Sequence, residues 1–132
     1  MRNIFIAGSI VAGLTAAQAQ PVIKRTPLAS HVLAPPKTIS HVEVVRLDFL
    51  PGMITPYHKH PVPVIGYVEQ GAFDVQVEGL PLHRYKTGES ILEPANTRIL
   101  HFDNVSKTEP AVLIATYLTG PDNKSLITLL PK

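Results

Sequence analysis

Pro51-Gly52-Met53-Ile54-Thr55-Pro56-Tyr57-His58-Lys59-His60 decides how this chain is read. The Pro-Gly pair opens the stretch as a turn, and the two histidines close it with one residue between them. On an extended strand, residues i and i+2 point to the same face. Two imidazoles placed so stand about 7 Å apart along the backbone and can converge on one metal ion. His-x-His alone is a weak signal, so its meaning depends on what surrounds it. Pro61 and Pro63 follow at once and forbid a central, fully paired strand. The segment therefore belongs at a sheet edge or a bulge.

Working outward, short strands separated by turns fill the chain. His41 to Leu50 alternates Val45, Leu47 and Phe49 against Arg46 and Asp48. Val64 to Glu69 is extended and is turned by Gln70-Gly71. Phe73, Val75 and Val77 alternate with Asp74, Gln76 and Glu78, a half-buried strand pattern. His83 to Tyr85, Ser90 to Leu92 and Thr97 to Phe102 are further extended pieces. Ala111 to Leu118 is almost continuously apolar, which predicts a strand buried on both sides. Leu126 to Leu130 is a short terminal strand after the Gly120-Pro121-Asp122-Asn123 turn. No amphipathic helix of useful length is present. About nine to eleven strands of this kind predict an all-β sandwich or barrel.

The 132 residues suggest one domain, and 45% hydrophobic content supplies a core. There is no cysteine, hence no disulfide, thiolate ligand or cysteine nucleophile. The net charge is +2 without a basic cluster beyond Lys24-Arg25, which argues against a nucleic-acid partner. Residues 1–19 read as a secretory signal peptide: Arg2, an apolar run from Ile4 to Leu14, and the small-x-small site Ala17-Gln18-Ala19. The run is shorter than the roughly 20 residues of a membrane span. Cleavage would leave Gln20 first, with no membrane anchor and a periplasmic or secreted location. Residues 20–40 form an extended N-terminal arm with room for one short strand, and residues 41–132 form the barrel domain.

Two segments together resemble the motifs of the cupin superfamily. The first is Gly52, five residues, His58-x-His60, and Gly71 beyond them. The second is Gly88, five residues, Pro94, and later Asn104. The resemblance covers roughly residues 42–118. It implies a small antiparallel jelly-roll barrel, a metal near one mouth, and a homodimer built through the arm. The chain is especially similar to small exported single-domain cupins.

The family's ligand pattern is only half present. Cupins commonly use three histidines and one glutamate. His58 and His60 match two positions, but the glutamate position is Val64 and the third histidine position is Ile99. Asn96 replaces the glycine after Pro94, and asparagine tolerates the left-handed turn that a glycine would make. His101 shares a face with Ile99 on a regular strand, and a bulge could bring it to the metal. The expected metal ligands are therefore His58, His60 and His101, for Zn, Fe, Cu, Ni or Mn. Glu93 is the nearest acidic alternative, but beside Pro94 it reads as a solvated rim carboxylate. Tyr57 reads as packing; His31, His41 and His83 read as exposed or edge residues.

Three functions stay open at this stage. One is a metal-binding cupin that holds or acts on a small organic molecule. Another is a metal-free barrel with an apolar ligand in a cavity lined by Val64, Phe73, Tyr85 and Ile99. The last is a dimeric interaction module. No Gly-x-Ser-x-Gly, His-Glu-x-x-His or phosphate-binding glycine loop is present. Whether the chain is an enzyme is left open by these residues.

Overall fold

The computed structural model describes residues 22–121 and 125–132. The expected signal peptide at 1–19 and the middle of the turn after Gly120 lie outside the described residues. Nine strands run in chain order: β1 (His41–Phe49), β2 (His58–Lys59), β3 (Val64–Gln70), β4 (Ala72–Val77), β5 (His83–Lys86), β6 (Ser90–Glu93), β7 (Ile99–Asn104), β8 (Ala111–Thr119) and β9 (Thr128–Leu129). Among the described residues there is no helix, and the arm before His41 forms no strand.

The strands form two antiparallel sheets, ordered β1-β8-β3-β6 and β5-β4-β7-β2-β9. Together they make an all-β jelly roll. Side chains alternate across each strand, so one face of each sheet supplies the core. Phe49 of the first sheet meets Phe73 of the second edge-on, with centroids 4.9 Å apart. Phe102 packs 5.2 Å from Phe73 and completes an aromatic cluster. Val64, Val68, Ile91, Leu113 and Ile99 pack around it and are almost fully buried.

Two details set positions used below. Gly71 turns β3 into β4 at φ +81°, and a Cβ there would stand 2.9 Å from the Ala111 side chain. The turn needs glycine for both backbone and space. Between β4 and β7 the register slips: Gln76 faces His101, but Val77 faces Ile99. Leu100 is thus an extra residue, a bulge that changes which side chains point inward. β8 lies in the middle of its sheet, yet it is not buried on both sides. Its inner face is buried, while Ile114, Thr116 and Leu118 on the outer face are half-buried, because among the described residues no second layer of strands covers that face.

Candidate metal centre

His58 sits on β2 and His60 just beyond it, and both imidazoles point into the barrel. The intervening Lys59 is turned the other way, as the two-residue period requires. Each ring is held by a backbone carbonyl. His58 Nδ1 lies 2.9 Å from the Pro56 oxygen, and His60 Nδ1 lies 2.5 Å from the Leu126 oxygen. A carbonyl only accepts, so Nδ1 must carry the proton in both rings. Each neutral ring then presents a bare Nε2 lone pair to the interior.

Glu93 is the third member. It ends β6 and is only 3% exposed, which corrects its reading as a solvated rim residue. Its Oε2 lies 3.4 Å from His58 Nε2 and 3.2 Å from His60 Nε2. That oxygen is buried and has no hydrogen-bond donor among the described residues. The ligand atoms of His58, His60 and Glu93 all lie within 4.8 Å of one another and could hold a metal ion. The separations become hydrogen bonds only if an imidazole takes a second proton. Burial alone would lower the pKa of His58, yet Glu93 and the Pro56 carbonyl carry it above the usual 6.5. Burial alone would raise Glu93, yet the two histidines bring it below the usual 4.5. A cation, whether a proton or a metal, is what this arrangement asks for.

Register explains how a carboxylate reaches the site although Val64 occupies the expected position. Val64 on β3 pairs directly with Glu93 on β6. Directly paired residues project from the same face with Cβ atoms about 5 Å apart. Glu93 therefore reaches the same inner face as Val64 from the neighbouring strand. β6 itself carried a signal for this: Ile91 and Glu93 are two apart, so an inward Ile91 implies an inward Glu93. Ile99, at the other expected ligand position, pairs with His58 and is buried in the core.

His101 lies outside the cluster. The bulge at Leu100 turns Ile99 and Phe102 inward, three residues apart, and leaves His101 facing out. Its side chain is 41% exposed, and its Nδ1 meets Asp103 Oδ2 at 2.8 Å. The bulge thus carries His101 away from the site. His83 and His41 are exposed, while His31 bonds the Ser90 hydroxyl at 2.9 Å and ties the arm to β6.

A cavity of about 130 Å³ opens beside the three ligand atoms. Its apolar wall includes Leu47, Phe49, Phe102, Leu113, Ile127 and Leu129. None of the four expected lining residues takes part. Val64, Phe73 and Ile99 are packed into the core, and Tyr85 stands edge-on to His83 at 4.5 Å on the outermost strand β5. The cavity lies instead against β1, β8 and the C-terminal segment. Tyr117 reaches it from β8, its ring 5.5 Å from that of His60. Burial, then the negative charges of Glu93 and Glu43, push its hydroxyl pKa up, so it stays protonated.

Residues 45–117 match the family model described as "Cupin domain". The chain is a cupin. No curated protein matches it. Among solved structures, this cupin is similar to an oxalate oxidase bound to the substrate analogue glycolate, with 28% identity and a TM-score of 0.55 over 67% of this chain and 46% of that one. A cupin-like protein from Thermotoga maritima shares 27% identity, with a TM-score of 0.55 over 67% of this chain and 64% of the other. A DMSP lyase from Ruegeria pomeroyi shares 19% identity and a TM-score of 0.57, covering 67% and 42%. That last likeness is one of fold. This cupin spans less than half the length of the oxidase and the lyase.

Proposed function

We propose that this protein is an exported cupin that binds one divalent transition metal through His58, His60 and Glu93. A small organic molecule occupies the adjoining cavity. One observation carries the reading: three buried acceptor atoms converge with no donor among them. Such a cluster costs folding free energy unless a cation satisfies it. Two imidazoles and one carboxylate suit zinc, iron, copper, nickel or manganese, and three protein ligands leave further positions open. A metal bound there would supply Lewis acidity beside the cavity. The leader-like segment at residues 1–19 supports export to the periplasm or the exterior. The arm, with Val22, Ile23, Leu28 and Val32 exposed, supports a homodimer in which a second copy covers it.

The test is elemental analysis of the protein purified without an affinity tag, beside His58→Ala/His60→Ala. The expected result is close to one metal per chain in the wild type and background in the variant. Background metal in both folded proteins would sink the reading. A metal-free barrel that binds a small apolar ligand would then take its place. The raised pKa of His58 favours that alternative, because a proton shared with Glu93 also satisfies the cluster.

A further inference from the structure

Glu93 is not the cavity's only unmatched polar group. Thr55 Oγ1 is buried and has no hydrogen-bond partner among the described residues, and Thr55 lines the cavity. Its backbone amide is already satisfied by Asp103 Oδ1 at 3.2 Å. The hydroxyl therefore bonds no described protein group. Valine has the same shape and would fill the place without a stranded hydroxyl. A threonine here makes sense if something in the cavity bonds to it.

The rest of the wall narrows what that something is. About 130 Å³ is near the size of a cavity that accepts benzene. The residues named above are aliphatic or aromatic, and among the described residues no lysine or arginine lines the space. Beyond the metal ligands, the polar side chains among the described lining residues are Thr55 and Tyr117. A dianion would find no cationic side chain, and Glu93 already offsets part of a divalent metal's charge.

We infer that Thr55 sets specificity, its hydroxyl bonding the single oxygen head of a compact, largely apolar ligand about the size of phenol. This rests on the cavity being the ligand site proposed above. Among the described residues the same walls offer a dicarboxylate such as oxalate no cationic side chain, which disfavours it.

The experiment is titration calorimetry of the full chain with phenol, benzene and oxalate, on metal-loaded and chelator-treated samples. Phenol should bind about tenfold tighter than benzene, the value of one well-placed hydrogen bond, and oxalate should not compete. Thr55→Val should bring the two affinities together without lowering the melting temperature of the ligand-free protein. Thr55→Ser should keep the preference, which preserves the test if the valine variant folds poorly. Equal binding of phenol and benzene to the wild type, or no binding of phenol, would overturn the inference. So would an unchanged preference in Thr55→Val, or a preference lost only in Tyr117→Phe. Absence of metal in the wild type would sink the metal reading alone, since the Thr55 comparison is also made in chelator.

Discussion

Asn104 and Glu93 are both buried polar side chains on inward-facing strand positions, and the barrel treats them in opposite ways. Asn104, 5% exposed, has its donors and acceptor filled. Its Nδ2 donates to the carbonyls of Leu50 at 3.0 Å and Glu109 at 2.9 Å, and its Oδ1 accepts from the Ser106 amide at 3.0 Å. It knots the loop after β1 to the turn between β7 and β8. Glu93 is as deeply buried, and among the described residues its Oε2 meets the lone pairs of two imidazoles and no donor. A satisfied buried polar group organises the fold. An unsatisfied one is a cost that the fold does not explain, and it marks the place where a ligand belongs.

Breaking the knot should give the largest effect on folding. Asn104→Ala strips partners from two carbonyls and one amide, at about 1 kcal/mol each, so about 3 kcal/mol of stability should go. Denaturant melts would show the loss, while metal per folded chain stays at the wild-type value.

The contrast sharpens with pH. The folded pKa of His58 is raised above 6.5, so its stabilising contribution is full below 6.5 and fades as pH climbs through the folded value. The folded pKa of Glu93 is lowered below 4.5, so its contribution is full above 4.5 and fades as pH falls through the folded value. Chelator-treated protein should therefore be most stable between about pH 4.5 and 6.5. Metal needs the deprotonated Nε2, so metal affinity should rise with pH where stability of the metal-free form falls. Melting temperatures across pH, with and without metal, check both slopes; Asn104→Ala should shift the curves without changing their shape.

The smallest effect is at the turn beneath the site. Asn96 sits at φ 57°, and its amide donates to the His60 carbonyl at 2.7 Å. Asn96→Val should cost about 1–2 kcal/mol from left-handed strain, whereas Asn96→Gly should be nearly neutral. A thermal melt of the two variants separates backbone strain from any effect on the metal.

Much of this was legible in the sequence because it is local. Strand periodicity and turn residues placed eight of the nine strands to within a few residues, and the Asn96 turn followed from the conformational habits of asparagine. β2, expected at an edge or bulge because of Pro61 and Pro63, instead pairs with β7 on one side and β9 on the other, because the prolines fall just after its two residues. His58 and His60 were visible because their spacing alone puts them on one face. What stayed hidden depends on register. The pairing of Val64 with Glu93 joins residues 29 apart in sequence, and no local pattern states it. The bulge at Leu100 reverses the face of His101, and a bulge leaves no mark in an apolar-polar alternation of six residues. The cavity was misplaced for the same reason: its walls come from β1, β8 and the C-terminal segment, whose approach to β2 is set by tertiary packing.

The most direct measurement is the melting temperature of wild type and Glu93→Gln, each with and without excess Zn²⁺ after chelator treatment. If Glu93 is left unsatisfied for the sake of a metal, then at a pH well above the folded pKa of His58 the metal-free variant melts no lower than the wild type, because its amide can donate to an imidazole Nε2. Zinc at a hundredfold over its Kd then stabilises the wild type by about 2.7 kcal/mol and leaves the variant unmoved. A variant that melts well below the wild type, with zinc moving neither or both alike, would show that Glu93 is a structural group like Asn104 and would contradict the account.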